Sequence, residues 1–256
     1  YAPPRTGYMQ LQKVSANAEI TNWNPNYSTA GAQYGVYKSD WEAALDLNRI
    51  ATLTTNELGS SNLIEVDAGT YYVQEKVASP GYELDPQIYT VVVTSGQTAT
   101  FTSVEQPAND PVGITIQKMD ADGNAVAPEG IASLEGAEFT VKYYAIDPAS
   151  VNKASDLNGQ NVTRTWVLQT KWDELAQQFN CGLDDYYKVA GDNFYTGVYG
   201  PILPKGVLTI QETKAPAGYT LDNAYTTVSG DGLSEENGVA LVKMEGTGGA
   251  VVTTSN

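Results

Sequence analysis

Apolar and polar residues alternate along much of the chain, and this pattern predicts β-strands. Residues 8–14, 89–93 and 113–118 each alternate with a period of two, the spacing expected of a strand that buries one face. No run of apolar residues approaches the ~20 that a helix needs to cross a bilayer. We therefore expect a protein built from β-strands, with no membrane insertion in this segment.

Two of the predicted strands carry a lysine on their apolar face. The residues that share this face are Met9, Leu11 and Lys13 in the first strand, and Ile114, Ile116 and Lys118 in the second. Successive side chains on a strand point to opposite faces of the sheet, so both ammonium groups should point toward the core. A lysine at a strand end can instead snorkel to water, but two lysines at equivalent positions favour a buried role.

Two acids follow the same rule on two other strands. The faces in question are Tyr71, Val73 and Glu75 in one strand, and Leu208, Ile210 and Glu212 in the other. Buried charges must be paired or must be neutralised. Each half of the chain is therefore predicted to direct one lysine and one glutamate inward, either as a buried ion pair or as groups that react together.

The sequence around these residues occurs twice, which indicates two copies of one fold. In each copy a Gly precedes the acid by six residues and a Gly-Tyr pair begins six residues after it, at Gly81 and at Gly218. A Gly-Ala-x-aromatic segment begins eighteen residues after each lysine, at Gly31 and at Gly136. We divide the chain into a first domain over residues 1–107, a short proline-containing linker over 108–112 and a second domain over 113–256.

Composition limits the chemistry that the chain can support. The chain has 256 residues, no His, one Cys and a formal net charge of −16. Without His there is no Ser-His-Asp triad, no Cys-His pair and no ordinary zinc site, so Cys181 is expected to be a passive thiol. The acidity disfavours nucleic acid and anionic membranes as partners. We predict no cofactor, no metal and no enzyme acting on an external substrate.

Together these motifs resemble the collagen-adhesin B-type (Cna B, SpaA-like) domains of Gram-positive surface proteins and pilins. The motifs are the lysine strand, Gly-Ala-x-aromatic, Leu-Thr-Thr-x-x-x-Gly at residues 53–59, Gly-x-Tyr-x-x-x-Glu and Ala-Pro-x-Gly-Tyr. They occur in order, nearly all of them twice, and cover nearly the whole chain. The resemblance implies an all-β fold of two tandem immunoglobulin-like (prealbumin-like) β-sandwich domains, in an extracellular, cell-wall-anchored surface protein.

The resemblance also implies an isopeptide bond between a first-strand lysine and a last-strand Asn or Asp, promoted by a buried acid. Carried over by position, Lys118 is the nucleophile, Asn256 the acceptor and Glu212 the promoter in the second domain. An apolar site lowers the pKa of a lysine and raises that of an acid, which favours attack of a neutral amine on the carboxamide. The bond would close a loop of 139 residues, a stabilisation of about 5 kcal/mol in chain entropy.

The first domain departs from this pattern. Lys13 and Glu75 are in place, but Glu105 stands where the family has Asn or Asp. Its side chain is one methylene longer, so we expect no bond there and an ion pair between Lys13 and a carboxylate instead. Asn109 is an alternative acceptor, although it lies inside the expected linker.

The second domain is expected to carry a helix-containing insertion around residues 145–200. Within it, an i, i+3, i+4, i+7 pattern predicts a short amphipathic helix beginning near Thr170. The residues of this pattern are Trp172, Leu175, Ala176 and Phe179. We expect the helix to cap the open end of the sandwich, with a smaller counterpart at residues 40–45 of the first domain.

The sequence supports two functions. The first is a structural stalk segment of a Gram-positive surface adhesin or pilin, stabilised by the isopeptide bond and joined to neighbouring modules of its parent chain. A stiff linker with Pro107 and Pro111 favours it, and residues 1–4 resemble a joint to a preceding module. The alternative is an adhesive module that binds a host protein or glycan through the insertion, where residues 184–195 are rich in aromatic side chains.

Overall fold

The computed structural model describes residues 5–111, 113–120, 122, 133–221, 225–229, 233–245 and 250–255. The chain divides into two compact units, Tyr1–Ala108 (unit 1) and Asn109–Asn256 (unit 2). The expected joint at residues 1–4 and the expected acceptor Asn256 lie outside the described residues.

Unit 1 is a sandwich of two sheets, one mixed and one antiparallel. Its elements are β1 (Thr6–Ser15), α1 (Ala18–Thr21), β2 (Gln33–Tyr37), α2 (Asp40–Leu45), β3 (Ala51–Thr54), β4 (Ile64–Asp67), β5 (Gly69–Val77), β6 (Tyr89–Val93) and β7 (Thr98–Glu105). One sheet has the strand order β4-β1-β7 and the other β3-β2-β5-β6. The core lies between them, and includes Leu11, Tyr34, Leu53, Val73 and Val91.

The first and last strands of unit 1 pair in parallel, which fixes the position of the lysine strand. The register sets Lys13 opposite Ser103 and Ser15 opposite Glu105. Close packing of the backbone supports Lys13 from the other side, since its N–H donates to the carbonyl of Gly59 at 2.7 Å. Gly59 has a φ of +80°, and a Cβ there would lie 2.2 Å from the Lys13 carbonyl oxygen, so this contact requires glycine.

Unit 2 has more strands than unit 1 among the described residues. Its strands are β8 (Asn109–Pro111), β9 (Ile114–Met119), β10 (Glu138–Tyr144), β11 (Arg164–Gln169), β12 (Lys171–Asp173), β13 (Gln178–Gly182), β14 (Lys188–Gly191), β15 (Tyr195–Gly197), β16 (Gly200–Pro204), β17 (Gly206–Lys214), β18 (Tyr225–Ser229), β19 (Leu233–Glu236), β20 (Val239–Met244) and β21 (Ala250–Ser255). Two short 3-10 helices, Pro148–Ser150 and Ala154–Leu157, lie in the insertion.

The strands of unit 2 form two large sheets and a small one. The large sheets have the orders β14-β11-β10-β17-β20-β19 and β12-β13-β9-β21-β18, and the small one β15-β16-β8. Strand β8 lies in the segment expected to be a linker, and it pairs with β16. The lysine strand β9 pairs in parallel with β21, with Lys118 opposite Thr254.

The two units share one topology around their lysine strands. In both, the lysine strand pairs in parallel with the last strand, and the strand that carries the Gly-Ala-x-aromatic residue pairs with the acid strand. The predicted all-β fold of two β-sandwiches is confirmed, and the small helical content of the insertion lies in its two 3-10 turns.

The helix predicted to begin near Thr170 is wrong, because this segment is the hairpin β12–β13. Trp172 and Phe179 are opposite each other across the two strands, with ring centroids 5.1 Å apart, while Leu175 at the turn is 99% exposed. The Asp173 carboxylate accepts the N–H groups of Leu175 and Ala176, which is how aspartate stabilises a turn. The apolar spacing therefore arose from one cross-strand pair and a turn residue. At the expected counterpart in unit 1, α2 is a helix capped by Ser39.

Candidate functional site

A buried lysine and a buried glutamate meet inside unit 1. Strand β1 directs Lys13 inward beside Met9 and Leu11, and β5 directs Glu75 inward beside Val73, all of them almost fully buried. Lys13 Nζ lies 3.3 Å from Glu75 Oε2. The inward direction expected from the strand alternation is confirmed, and the two charges form a buried ion pair.

The Gly-Tyr pair of unit 1 closes one side of this ion pair. Lys13 Nζ lies 4.4 Å from the centroid of the Tyr82 ring, within range of a cation–π interaction. The ring of Tyr82 meets that of Tyr27 edge-on. Gly81 has a φ of +83°, and a Cβ there would lie 2.3 Å from the carbonyl oxygen of Asn26. Glycine at this position therefore allows the tyrosine to approach the lysine.

A second carboxyl, Glu105, is buried in the same interior at the end of β7. The hydroxyl of Tyr34 on β2 donates to Glu105 Oε1 at 2.7 Å, and the hydroxyls of Tyr34 and Ser103 are also 2.7 Å apart. Burial, together with the negative charge of Glu75, raises the pKa of Glu105 to about 7. In the described part of unit 1, Glu75 and not Glu105 is the acid within ion-pair distance of Lys13.

The acid Glu75 is fixed from a further side by the loop that follows Tyr82. The backbone N–H of Asp85 donates to Glu75 Oε1 at 2.9 Å, and the Tyr89 hydroxyl donates to Asp85 Oδ2 at 2.6 Å. Burial and the hydrogen bond to Asp85 raise the pKa of Tyr89 above its usual range. Glu75 is thus held between Lys13 and the backbone of Asp85.

Unit 2 repeats the lysine and the acid with a different hydrogen-bond pattern. Lys118 Nζ is 3.7 Å from Glu212 Oε2, and it donates to the carbonyl oxygens of Met119 at 2.9 Å and Thr254 at 3.2 Å. Burial lowers the pKa of Lys118, an effect that the nearby Glu212 opposes. The lowered pKa brings this buried amine closer to the neutral form that a nucleophile needs.

An irregularity of register occurs at the same place in both units. In unit 1 it falls between Gln33 and Tyr34, where Tyr34 pairs with Glu75. In unit 2 it falls between Glu138 and Phe139, where Phe139 pairs with Glu212. Such bulges re-aim side chains near functional sites. Here each one sets an aromatic residue opposite the buried acid.

The acceptor of unit 2 can be placed only by counting along the chain. Lys13 is opposite Ser103 and Lys118 is opposite Thr254, and two residues further on stand Glu105 and Asn256. Asn256 itself lies outside the described residues, and of the predicted site the structure describes Lys118 and Glu212, which it brings together.

Sequence reasoning missed Tyr34 and Ser103 as members of the site in unit 1. The Gly-Ala-x-aromatic motif contains Tyr34 in one copy and Phe139 in the other. That single hydroxyl was the available signal, because a buried tyrosine needs a hydrogen-bond partner for its O–H. The partner could not be identified without knowing that β2 faces β7.

The aromatic residues of the insertion are divided between core and surface. Phe194 and Tyr195 are buried, with Phe194 stacked on Trp166 at 5.3 Å, whereas Tyr186 is 62% exposed. Only some of the aromatic residues expected to form a binding surface are therefore exposed. A separate groove of about 330 Å³ lies between the 3-10 helix Ala154–Leu157 and the outer face of β10 and β17.

The described residues offer few other groups for catalysis or metal binding. Cys181 is buried on β13, and burial raises the pKa of its thiol well above the usual range. Across the described ranges, no group of three His, Cys, Asp or Glu side chains could hold a metal ion. No helix in those same ranges is long and apolar enough to cross a bilayer.

Comparison with protein families supports the assignment drawn from the motifs. Residues 8–107 match the model of a family described as SpaA: Prealbumin-like fold domain. The resemblance to SpaA-like domains is thus confirmed, and unit 1 carries the match. No curated protein sequence matched the chain.

The solved structures that are similar to this chain have low sequence identity to it. The Bacillus anthracis TIE protein is similar with a TM-score of 0.54 and 20% identity, over 98% of this chain and 34% of that protein, so this chain spans about a third of its length. A C-terminal fragment of the pilus adhesin SpaC from Lactobacillus rhamnosus GG has a TM-score of 0.46 and 14% identity, over 98% and 97% of the two chains. The shaft pilin SpaA from the same bacterium has a TM-score of 0.32 and 13% identity, again over 98% and 97%.

Proposed function

We propose that the chain is a structural stalk segment of a Gram-positive cell-surface adhesin or pilin, and that unit 2 locks itself with a Lys118–Asn256 isopeptide bond. The observation that carries this is the buried Lys118 beside Glu212, with its Nζ at the backbone of Thr254, two residues before Asn256. The SpaA family match over residues 8–107 supports a surface-protein setting.

The proposed reaction needs only groups of unit 2. The neutral amine of Lys118 attacks the carboxamide carbon of Asn256, and a protonated Glu212 donates to the carboxamide oxygen. The new Nζ–carbon bond forms as the carbon–nitrogen bond of the carboxamide breaks. The nitrogen leaves as ammonia with the proton from the amine, and Glu212 carries the proton between them. This is a single turnover during folding, so the protein is not an enzyme.

The bond would suit a stalk for a mechanical reason. Strands β9 and β21 are the lysine strand and the last strand of unit 2, and they pair in parallel. A force on the two ends of the unit would pull on these neighbouring strands and shear them apart. A covalent bond between them would carry that force and leave the rest of the sandwich unloaded.

Unit 1 is proposed to remain without such a bond. Its buried lysine is satisfied by Glu75 at 3.3 Å and by the face of Tyr82, and Glu105 is held by Tyr34. The alternative acceptor Asn109 belongs to strand β8, which pairs with β16 in unit 2. We therefore assign Lys13 to a reversible ion pair.

The test is the intact mass of the denatured chain beside its Lys118→Ala variant. The expected result is a deficit of one ammonia in the parent chain that disappears in the variant, after allowance for the substitution. Lys13→Ala is the matched control and should keep the deficit. No deficit in the parent chain would refute the bond, and loss of a water would identify a carboxyl acceptor.

The proposed partners are the neighbouring modules of the parent protein, in an extracellular, wall-anchored position. This setting agrees with a chain of net charge −16 that has one cysteine and no histidine. The negative charge makes nucleic acid and anionic membranes poor partners, because cationic residues favour binding to both.

A second candidate function is binding of a host glycan or protein through the insertion. The favouring observation is the groove beside Ala154–Leu157, which is lined largely by hydroxyl and carboxamide groups such as Thr140, Asn158, Thr209 and Gln211. Such groups match the donors and acceptors of a polyhydroxylated ligand. Binding to a glycan array that is lost in Gln211→Ala, but kept in Lys38→Ala at an exposed position of unit 1, would support it. No binding by the parent chain would exclude it.

A further inference from the structure

The two units place different aromatic residues opposite the same buried acid. Tyr34 pairs with Glu75 in unit 1 and Phe139 pairs with Glu212 in unit 2, and both aromatic side chains are fully buried. The only chemical difference between them is one hydroxyl group. Any difference that this position makes to the lysine chemistry must therefore come from that hydroxyl.

The direction of the hydrogen bonds at Tyr34 follows from its single proton. Its O–H donates to Glu105 Oε1, so the contact at 2.7 Å with Ser103 must be a bond donated by the serine. Burial raises the pKa of Tyr34 far above its usual range, which keeps the hydroxyl protonated and able to donate. Ser103, Tyr34 and Glu105 thus form a chain of two hydrogen bonds, which we call the hydroxyl clamp.

The clamp separates Glu105 from the lysine. Glu105 Oε1 is held toward β2 by Tyr34, while Lys13 Nζ contacts Glu75 on the neighbouring strand β5. The register sets Glu105 two residues beyond the partner of Lys13, the position of the acceptor in the proposed bond of unit 2. A side chain at this position must be free of the clamp to approach the amine.

We propose that Tyr34 is a positioning residue that holds the side chain at position 105 away from Lys13 and so keeps the lysine of unit 1 uncrosslinked, whereas Phe139 has no hydroxyl with which to hold a side chain in this way. This inference rests on the bond-forming chemistry proposed for unit 2. It makes the aromatic residue of the Gly-Ala-x-aromatic motif a determinant of whether a unit locks covalently or by an ion pair.

The test supplies unit 1 with an asparagine and then removes the clamp. Glu105→Asn and the double variant Glu105→Asn/Tyr34→Phe are refolded from denaturant, and the Lys13-dependent loss of ammonia is followed by intact mass. We expect the double variant to crosslink at least about tenfold faster, the effect of one ordinary hydrogen bond. A rate ratio below about threefold, or no crosslinking in either variant, would overturn the proposal.

A second measurement covers the case in which the double variant does not fold. In Tyr34→Phe alone, the side-chain carboxyl of Glu105 is titrated by carbon NMR. Because the Tyr34 hydrogen bond lowers the pKa of Glu105, its removal should shift the titration midpoint upward. An unchanged midpoint would show that the clamp does not hold Glu105, and would overturn the proposal.

The reciprocal variant separates this inference from the proposed function. Phe139→Tyr in unit 2 should slow the Lys118-dependent loss of ammonia by about tenfold if a hydroxyl there captures the acceptor. If the parent chain shows no Lys118-dependent loss, the proposed function fails, but the comparison at Lys13 still decides the role of Tyr34. If Phe139→Tyr reacts at an unaltered rate and the parent chain shows the expected deficit, the role proposed for Tyr34 is contradicted, but the bond proposed for unit 2 is not.

Discussion

Units 1 and 2 each bury a lysine and a glutamate on equivalent strands, but the ammonium group has different partners in the two units. In unit 1, Lys13 is 3.3 Å from Glu75 and lies over the Tyr82 ring. In unit 2, Lys118 is 3.7 Å from Glu212 and donates to two backbone carbonyls. Burial lowers the pKa of Lys118, which brings the amine of unit 2 closer to the neutral form.

The comparison shows that the fold alone does not decide the chemistry of the buried pair. Both units have the parallel pairing of the lysine strand with the last strand and the same irregularity opposite the acid. Two differences are one hydroxyl, at Tyr34 against Phe139, and the side chain at the proposed acceptor position, Glu105 against Asn256. Those few atoms separate a reversible ion pair from a proposed covalent bond.

Among variants that test the contrast between the units, Lys118→Ala is expected to have the largest effect on stability. Without the proposed bond, the unfolded chain regains the entropy of a loop of 139 residues, about 5 kcal/mol. Glu212 also loses its buried partner. The thermal midpoint of unit 2 should then fall on the order of 15 °C in differential scanning calorimetry.

Lys142→Ala is a suitable control for this experiment, because Lys142 is exposed on β10 of the same unit. It should leave the midpoint almost unchanged. An equally small change in Lys118→Ala would mean that unit 2 is no more strongly locked than an ordinary sandwich, and the contrast between the units would disappear.

A somewhat smaller effect is expected from Lys13→Met in unit 1. The substitution keeps the apolar stem but removes the cation, so Glu75 is left as a buried charge without its ion-pair partner. Breaking a buried pair in this way costs about 3–5 kcal/mol. Hydrogen exchange of β1 in increasing urea would report the loss of unfolding free energy for unit 1 separately from unit 2.

The double variant Lys13→Met/Glu75→Gln sharpens this result. Removing both charges should restore much of the stability, because the cost arises mainly from the isolated carboxylate. If the double variant is as unstable as Lys13→Met, the lysine stem or the acid has a packing role that outweighs the charge.

The next effect is a pH dependence confined to unit 1. Burial raises the pKa of Glu105 to about 7, from an ordinary value of 4.5. The folded unit therefore keeps a proton that the unfolded chain releases, so this contribution to stability is complete below pH 4.5 and is lost as the pH rises through 7. A loss of about 3 kcal/mol in unfolding free energy is expected across this interval.

Glu105→Gln provides the matched comparison for the pH experiment. It keeps the shape of the side chain and a group that can accept from Tyr34, but it cannot titrate. The difference between urea titrations of the two proteins at pH 5 and pH 8 isolates Glu105 from the other acids. Equal pH slopes in both proteins would mean that Glu105 does not hold a proton in the folded unit.

Much of this fold could be predicted from sequence, because strand alternation records burial directly. Leu11 and Lys13 were predicted to share an inward face, as were Val73 and Glu75, from the two-residue period of a strand. These side chains are buried. The hairpin at Trp172 and Phe179 could not be recognised in this way, because residues seven apart also share a helix face. Only the Asp173 turn distinguishes the two structures.

The candidate site shows the same division. Its lysines and acids stand at fixed offsets within a repeat, so the sequence alone identified them. The clamp joins Tyr34 to Ser103 and Glu105, which are 69 and 71 residues away along the chain. Nothing local to Tyr34 indicates these partners, because they are set by the packing of β2 against β7 across the sandwich.

The smallest predicted effect tests the contact between Lys13 and the Tyr82 ring. Tyr82→Leu removes the ring 4.4 Å from Lys13 Nζ, and should cost about 1–2 kcal/mol of cation–π energy, whereas Tyr82→Phe keeps the ring and should be nearly neutral. A double-mutant cycle with Lys13→Met separates this term from the edge-on contact with Tyr27. A coupling near zero would show that the Tyr82 ring does not stabilise the ammonium group of Lys13.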